Sequence, residues 1–432
     1  MERQPTKGRG YILGLLFVLN VFNYVDRYLP AILLPSIRKD LALNDSQLAF
    51  ITGAAFALFY ALMCLPLGRM ADHYNRRQVL AACVALWSVM TAVTGMAQNF
   101  MHMAIARFGV GVGEAGLNPC AQSIISDLYS QKGRRATAVA LFASGTSVGT
   151  VVAFLIGGNL DQVFGWQTAF VVVGVPGVVL AALVLFTLQE PVRGAADNFV
   201  DTGKAPPLWE TVKTLWSIKV WRYMMLGTGF SGTCNACCTV WTPSYLSRSF
   251  GMSAAEIGNF TAPALGIGGF IGTMLGGYLV DTLRMRNVRW GAWLPSVTLG
   301  LCIIPTIMVF TAGSSTAAIL WLTAPLVLVP THLACFTAAA QSVAPLRMRG
   351  TAPALSLLIT AGIMGLGLGP QIIGGLSDAM RASQGEESLR YALLIVAPVA
   401  AALASVFFYL GSRYIAADLA KAISLQGVPP RS

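Results

Sequence analysis

The chain has 432 residues, of which 55% are hydrophobic and only 11% are charged, whereas an ordinary soluble domain carries roughly 25% charged residues. This composition, with a mean hydropathy of +0.66, excludes a soluble enzyme and is typical of a protein with many membrane-spanning helices. The net charge of +11 would suggest nucleic acid as the partner of a soluble protein. Because membrane proteins concentrate Lys and Arg in cytoplasmic loops, we expect no nucleic-acid partner here.

Twelve apolar stretches follow one another along the chain, each close to or above the roughly 20 residues that a membrane-spanning helix needs. The predicted spans are residues 11–37, 46–70, 79–97, 100–128, 136–159, 167–189, 220–247, 256–280, 290–312, 316–343, 351–376 and 389–412. A long polar stretch divides them into two sets of six. The sequence thus predicts an all-α polytopic membrane protein with an N-terminal six-helix bundle (1–189), a cytoplasmic linker (190–219), a C-terminal six-helix bundle (220–413) and a cytoplasmic tail (414–432).

The basic residues are unequally divided between the two sides of the predicted membrane. With the N-terminus inside, the even-numbered loops and both tails hold 22 of the 29 Lys and Arg residues. This asymmetry predicts that both termini are cytoplasmic, in a plasma membrane that we expect to be a bacterial inner membrane. All eight Cys residues lie within predicted spans, so neither a disulfide framework nor a metal site is expected.

A short pattern recurs at the ends of the second, fifth, eighth and eleventh spans. In each copy a Gly precedes an Asp by four residues as the helix leaves the membrane, and the pairs are Gly68 and Asp72, Gly157 and Asp161, Gly277 and Asp281, and Gly374 and Asp378. Four matches at every third span indicate four three-helix units paired into two halves. Repeated halves around a central site are typical of transporters, in which rocking exposes the site alternately to each side.

The loop after the second span carries a family likeness. The stretch GRMADHYNRR resembles the Gly-x-Leu-x-Asp-Arg-x-Gly-Arg-Arg pattern of the major facilitator superfamily, and it matches at Gly68, Asp72, Arg76 and Arg77. That family has twelve transmembrane helices in two pseudo-symmetric six-helix bundles, and its loop latches the two halves through charge contacts. The resemblance therefore implies a cytoplasmic gate formed by these four residues, together with Asp281 from a weaker second copy.

Three further motifs are similar to the spinster-like (sphingolipid-transporter-like) branch of the superfamily. They are NYVDR from Asn23, YNR from Tyr74 and GEA from Gly113. Transporters of this branch couple transport to protons through an acidic residue in the first motif and another in the third. The resemblance therefore implies proton coupling at Asp26 and Glu114.

The clear cases of ionisable side chains at mid-membrane positions of the predicted spans all lie in the first half: Asp26, Arg27, Arg107 and Glu114. Such groups are costly inside a membrane unless they are paired or hydrated, so each is a candidate functional group. Arg107 and Glu114 are seven residues apart, about 10.5 Å along a helix, so we expect each to meet the first span. We predict that Asp26 and Glu114 carry protons and that Arg27 and Arg107 set their proton affinities. The alternative is a static ion network that fixes helix packing.

Weakly polar and aromatic side chains are expected to line a substrate cavity. They are Asn20, Asn23, Tyr24 and Asn118 in the first half and Asn235, Thr239, Trp241, Tyr245 and His332 in the second. His332 is alternatively a hydrogen-bonded core residue. Such a surface suits an amphiphile better than a sugar, which needs many directed hydrogen bonds.

The sequence therefore predicts a secondary active transporter. Because no Walker motif is present, we expect an ion gradient rather than nucleotide hydrolysis to drive transport. Its expected solute is a small amphiphile such as a lysolipid, a sphingoid-like compound or an organic acid. An uptake permease for small aromatic or carboxylic acids, a multidrug-type exporter and a non-transporting receptor are the alternatives. Three scattered His residues provide no reactive constellation, so no enzyme is expected. The expected partners are the solute, protons and the lipid bilayer, and we expect a monomer without cofactor or metal.

Overall fold

The computed structural model describes residues 8–129, 134–191, 208–343 and 358–424. Within these ranges eight helical segments are long and apolar enough to cross a membrane. Two of them, Thr137–Thr187 and Gly362–Ser412, each contain two of the predicted spans, and the predicted spans 100–128 and 220–247 are each divided by a break. The eleventh predicted span, 351–376, begins outside the described residues. The helices otherwise follow the predicted order of twelve spans.

The contacts divide the chain into two units. Unit 1 comprises Met1–Asp201 with Gly251–Gly266, and unit 2 comprises Thr202–Phe250 with Ile267–Ser432. Of the predicted linker, residues 192–207 lie outside the described chain, and so do residues 425–432 of the predicted tail.

Unit 1 is built from six helices and the first part of a helix that continues in unit 2. The six are α1 (Arg9–Leu41), α2 (Asp45–His73), α3 (Arg76–Thr94), α4 (Phe100–Glu114), α5 (Leu117–Leu128) and α6 (Arg134–Thr187). Asn44, Asn75 and Asn99 begin α2, α3 and α4, because each side chain accepts a hydrogen bond from a backbone N–H three residues later. Gly165 turns the chain within α6 with a φ of 83°, a conformation that favours glycine.

Unit 2 contains the remaining helices, which are α7 (Leu208–Ser217), α8 (Lys219–Thr239), α9 (Thr242–Phe250), α10 (Ala254–Arg284), α11 (Trp290–Thr311), α12 (Ser315–Leu328), α13 (His332–Val343), α14 (Gly369–Gln384), α15 (Ser388–Ser412) and α16 (Ile415–Ser424). A π-helical segment, Leu358–Leu368, leads into α14. The core lies where α8, α11 and α15 pack together, around buried side chains that include Trp221 and Phe408.

Helix α10 is divided between the units at residue 266, and its first part belongs to unit 1. There, a Cβ added at Gly158 would collide with the carbonyl oxygen of Ala254, and one at Gly258 with the carbonyl oxygen of Phe154. Glycine at both positions therefore allows the backbones of α6 and α10 to touch, as small residues do at helix contacts in membranes.

Candidate functional site

Arg27 on α1 and Glu114 at the end of α4 form an ion pair inside unit 1. The Nη2 and Nε atoms of Arg27 donate to Oε2 of Glu114 at 2.7 and 3.1 Å. The Glu114 side chain is fully buried and that of Arg27 is 12% exposed. The Arg27 guanidinium lies 4.9, 4.9 and 5.2 Å from the ring centroids of Tyr24, Phe56 and Tyr60. Cation–π attraction therefore adds to the ion pair.

Asp26 and Arg107 complete a group that we call the charged cluster: Asp26, Arg27, Arg107 and Glu114. Arg107 Nη1 donates to the backbone carbonyl oxygen of Asp26 at 3.4 Å, and both side chains are buried. Among the described residues, Oδ1 of Asp26 and the Nε and Nη2 atoms of Arg107 have no hydrogen-bond partner. Oε1 of Glu114 also has no partner among the described residues, so the two carboxyl groups differ in that Glu114 holds a guanidinium through its other oxygen.

Glycines on α4 bring the charged cluster together. A Cβ at Gly111 would lie 2.6 Å from the carbonyl oxygen of Phe56, and one at Gly113 would lie 2.7 Å from the backbone nitrogen of Trp87. Without these side chains, α4 approaches α2 and α3 closely. The helix then ends at Glu114, so the carboxylate occupies the last turn, beside α1.

Two of the predicted cavity residues on α1 are buried in unit 1. Asn20 Nδ2 donates to the carbonyl oxygen of Phe142 at 2.7 Å, which ties α1 to α6. Asn23 is fully buried, and neither polar atom of its amide has a hydrogen-bond partner among the described residues. A role of these two residues in a substrate cavity stays a prediction.

The other predicted lining residues of unit 1 are more accessible. Tyr24 and Asn118 are half-buried. Tyr24 stacks near Tyr28, with ring centroids 6.3 Å apart. Tyr24 is also one of the three rings around the Arg27 guanidinium.

In unit 2, three predicted lining residues pack in the core. Tyr245 donates its hydroxyl to the carbonyl oxygen of Val309 at 2.9 Å, and Trp241 is fully buried. His332 Nδ1 lies 2.6 Å from the Val329 carbonyl oxygen. Tyr245 and His332 use their polar atoms within the unit, whereas Nε1 of Trp241 has no hydrogen-bond partner among the described residues. A lining role of the three residues stays a prediction.

His332 also reaches Ser231, whose Oγ lies 3.1 Å from its Nδ1, and its ring packs 6.1 Å from that of Phe408. This environment matches the alternative interpretation of a hydrogen-bonded core histidine. Asn235 is half-buried, and the Thr239 hydroxyl donates to its carbonyl oxygen at 2.8 Å. Of the predicted residues in this unit, Asn235 offers the most accessible polar side chain.

Arg76, predicted as part of a gate, is buried at the start of α3 in unit 1. Its Nε donates to Glu190 at 2.7 Å, its Nη1 to Ser123 at 2.8 Å, and its Nη2 to the Pro191 carbonyl oxygen at 2.8 Å. Nη1 also pairs with Asp127. The guanidinium thus connects the start of α3 to the end of α5 and to the residues after α6. All of these hydrogen-bond partners lie in unit 1.

Glu190 accepts a second hydrogen bond, from the backbone N–H of Arg77 at 3.0 Å. Partial burial by itself would raise the pKa of Glu190, but the hydrogen bonds from Arg76 and Arg77 outweigh it and hold the pKa below its usual value. The other predicted gate residues are Gly68, which is half-buried, and Asp72 and Asp281, which are exposed.

Several residues at these sites were not identified from the sequence. Phe56 and Tyr60 surround Arg27, and Asp127 and Glu190 hold Arg76. A signal existed for the two acids, because each stands at the cytoplasmic end of a predicted span, on the same side as Arg76. Within the described residues, no cluster of three or more His, Cys, Asp or Glu side chains could hold a metal ion.

Comparison with known proteins finds similarity to membrane transporters. The model of the Major Facilitator Superfamily matches residues 16–370. An MFS-type efflux pump of Mycolicibacterium smegmatis is 31% identical, over 94% of this chain and 93% of that protein. A probable L-galactonate transporter of Escherichia coli is 28% identical, over 92% of this chain and 88% of that protein.

A solved structure is also similar over almost the whole chain. It is a bacterial homolog of the human lysosomal transporter Spinster, captured in an inward-facing and unoccupied conformation. The TM-score is 0.86 and the identity is 29%, with 96% of this chain and 99% of that chain covered.

Proposed function

This chain belongs to the Major Facilitator Superfamily, and we propose that it is a proton-coupled secondary transporter of a small amphiphilic organic solute, working by alternating access. Membership of the family, and relatives that are transporters and not enzymes, establish the coarser part: a multi-pass membrane transporter. Proton coupling, the solute and the orientation are the parts that we propose.

The observation that carries the proposal is the charged cluster in the interior of unit 1. A buried ionised group is unfavourable unless it is paired. Glu114 has a guanidinium at 2.7 Å, whereas Oδ1 of Asp26 has no hydrogen-bond partner among the described residues. Asp26 can become neutral by taking up a proton, and a change in the position of Arg107 relative to Asp26 would release it. Such an exchange links protonation to a change in helix packing, as coupling requires.

The nature of the solute is inferred from the surroundings of Arg27. This guanidinium is partly accessible and lies against three aromatic rings. A cation bordered by rings suits a molecule with one anionic group and an apolar body. Lysolipids and amphiphilic organic acids have this chemistry, and a long-chain base does not supply the anion.

A second candidate is an uptake permease for small carboxylic acids. It is favoured by the relative named as a probable L-galactonate transporter, and a carboxylate would also pair with Arg27. The two candidates differ in the apolar body of the solute. An acid without one would gain nothing from the rings of Tyr24, Phe56 and Tyr60.

We further propose a monomer in a bacterial inner membrane with both termini cytoplasmic. This orientation is supported by the concentration of 22 of 29 basic residues on one side of the predicted membrane. Fusion of alkaline phosphatase and of green fluorescent protein to the C-terminus tests it. Fluorescence without phosphatase activity is expected, and phosphatase activity would overturn the assignment. Native mass spectrometry of the purified protein tests the monomer.

The transport experiment uses purified protein in proteoliposomes with a pH gradient imposed in either direction. Labelled lysophosphatidylglycerol, sphingosine and galactonate are the three probes. The proposal expects accumulation of the lysolipid above its equilibrium level, abolished by collapsing the gradient. Gradient-driven accumulation of galactonate alone would favour the second candidate, and lysolipid transport indifferent to pH would overturn proton coupling.

Variants then connect coupling to the charged cluster. Asp26→Asn and Glu114→Gln are each expected to abolish gradient-driven accumulation while the protein still inserts and folds. The matched control is Glu386→Gln, because Glu386 and its partner Arg381 are both exposed and such a pair contributes little. Full accumulation by either cluster variant would contradict the proposed role.

A further inference from the structure

Basic side chains of unit 2 lie against tyrosine rings where α8 begins and α15 ends. Lys219 Nζ is 4.8 Å from the ring centroid of Tyr414, and the Arg222 guanidinium is 5.8 Å from that of Tyr223. The rings of Tyr223 and Tyr414 stack on each other, with centroids 5.6 Å apart and planes at 5°. Two cations therefore lie on a pair of stacked rings that joins the start of α8 to the residues after α15.

A third cation lies beside this pair of rings in the sequence. The Arg413 guanidinium is 5.3 Å from the ring centroid of Tyr409, one turn earlier on α15. All three distances fall within the roughly 6 Å over which a ring face attracts a cation. We call the following residues the interfacial patch: Lys219, Arg222, Tyr223, Tyr409, Arg413 and Tyr414. Lys219, Tyr409 and Arg413 are exposed and the other three are half-buried, so a molecule outside the unit can reach them.

The interfacial patch lies where the chain enters and leaves the membrane. Lys219 immediately precedes the seventh predicted span, and Arg413 immediately follows the twelfth. The helical segment that ends at Ser412 is long and apolar enough to cross a membrane. Side chains just beyond the end of a span are at the depth of the lipid headgroups, where Tyr, Lys and Arg are all favoured. The patch is therefore at headgroup depth.

An exposed apolar stripe on α15 leads to the interfacial patch. Its members are Ile395, Val399, Leu403 and Val406, which are exposed and recur at the spacing of one helix face. Tyr409 and Arg413 continue the same face toward the end of the helix. Within a membrane, exposed apolar side chains of this kind contact acyl chains. The helix thus offers a surface for acyl chains that ends at a cluster of cations.

The charges at this end of unit 2 favour an anion. The interfacial patch itself carries three positive charges. Asp418 on α16 brings a negative charge to the start of α8, where its Oδ2 accepts a hydrogen bond from the backbone N–H of Val220 at 2.8 Å, and this contact is favourable at a helix N-terminus. On α7, the exposed Glu210 and Lys213 have opposite charges. The balance remains positive.

We propose that the interfacial patch binds the headgroup phosphate of an anionic phospholipid, whose acyl chains lie along the apolar stripe of α15. Guanidinium and ammonium groups pair with phosphate oxygens, and the rings hold the cations in place before the lipid binds, which lowers the entropy lost on binding. Phosphatidylglycerol is favoured over phosphatidylcholine, because the choline cation is repelled by the patch. This site is independent of the proposed proton coupling and of the proposed solute.

Native mass spectrometry of the purified full-length protein measures the bound lipid directly. Dioleoylphosphatidylglycerol and dioleoylphosphatidylcholine are added separately in detergent, and we expect the wild type to retain the first at lower concentration. In Arg222→Gln/Arg413→Gln, the affinity for phosphatidylglycerol should fall about 25-fold, since each basic residue near a lipid surface contributes about fivefold. Phosphatidylcholine binding should change much less. Equal affinity of the wild type for the two lipids would contradict the proposal.

The matched control is Arg9→Gln/Arg69→Gln, which removes two exposed basic side chains of unit 1 and should leave the affinity unchanged. An equal loss in this control would mean that the whole basic surface attracts the lipid, and it would overturn the proposal. An unchanged affinity in the patch variant would overturn it too. Displacement of the lipid by soluble glycerol phosphate would assign the patch to a free phosphate ligand and refute the assignment to a lipid.

Thermal unfolding supplies a second readout. Phosphatidylglycerol should raise the melting temperature of the wild type and of the control, because binding stabilises the folded state, and it should raise that of the patch variant much less. If the double variant does not fold, the single variant Arg413→Gln replaces it, with an expected loss of affinity of about fivefold.

A variant of the charged cluster separates this site from the proposed solute site. Arg27→Met/Glu114→Gln should retain phosphatidylglycerol as the wild type does, whether or not it transports. Loss of the lipid in this variant, with retention in Arg222→Gln/Arg413→Gln, would place the lipid at the charged cluster and overturn the role of the interfacial patch.

Discussion

The interiors of the two units are polar in different ways. Unit 1 buries Asp26, Arg107 and Glu114, with Arg27 almost buried beside them. In unit 2, the buried polar side chains among the described residues are hydroxyls and one histidine, and they include the Thr298–Thr331 pair at 2.8 Å. A charge can respond to a proton, whereas a hydroxyl cannot near neutral pH. Under the proposed proton coupling, protons therefore act on unit 1.

Separating the buried ion pair should produce the largest effect. Arg27→Ala leaves Glu114 buried without its partner, so we expect the free energy of unfolding in detergent to fall by about 3–5 kcal/mol and gradient-driven transport to disappear. In the double variant Arg27→Met/Glu114→Gln both charges are gone, and most of the stability should return without transport. Equal stability of the single and double variants would show that Arg27 and Glu114 are not energetically coupled.

Arg76 tests whether a second buried charge in unit 1 is structural. Because Arg76→Ala removes the partner of Asp127 and Glu190, we expect the free energy of unfolding to fall by about 3 kcal/mol. The pH of half-maximal transport should not move, since the charged cluster is unaffected. Arg69→Ala, at an exposed position near the end of α2, is the control and should leave the melting temperature unchanged. A shifted pH of half-maximal transport in Arg76→Ala would contradict a purely structural role and show that Arg76 takes part in proton coupling.

Substitution of His332 tests whether a group in unit 2 responds to protons. His332→Leu removes the hydrogen bonds with Ser231 and the Val329 carbonyl, so we expect a loss of about 1–2 kcal/mol of stability. The pH dependence of transport should match that of the wild type. A changed pH profile would place a proton-responsive group in unit 2 and break the proposed division between the units.

The smallest predicted effect concerns Glu190, whose pKa is lowered in the folded protein. A carboxyl group with a lowered folded-state pKa stabilises the protein above its unfolded pKa of about 4.3, and this contribution is lost as the pH falls through the folded value. Thermal unfolding between neutral and acidic pH should therefore show a flatter acid limb in Glu190→Gln. Identical acid limbs in the two proteins would contradict the role of the hydrogen bonds from Arg76 and Arg77.

The order of the helices could be predicted from the sequence, because apolar length and charged loops determine where a chain crosses a membrane. The breaks inside spans could not. The predicted span 100–128 is two helices separated at Ala115 and Gly116, and the predicted span 220–247 is separated at Val240 and Trp241. Apolar residues in a break look the same as apolar residues in a helix, so hydropathy does not reveal it.

The four residues of the charged cluster could be predicted from the sequence, and helix geometry indicated that they meet across helices. The seven-residue spacing of Arg107 and Glu114 excludes a direct pair along one helix, which indicates a partner on another helix. The side chain that Arg107 or Glu114 contacts on the other helix depends on how each helix is rotated about its axis. Helix packing determines this rotation. The burial of Tyr245 and the position of Phe56 beside Arg27 follow from such rotations, so neither could be predicted from the sequence.

The most direct test of the central claim measures protons rather than solute. Proteoliposomes loaded with a pH-sensitive dye receive the lysolipid on one side without any imposed pH gradient. We expect downhill movement of the solute to drive a proton flux through the wild-type protein and through His332→Leu. We expect no proton flux through Asp26→Asn. Solute movement without proton flux in the wild type, or an undiminished flux in Asp26→Asn, would contradict this claim.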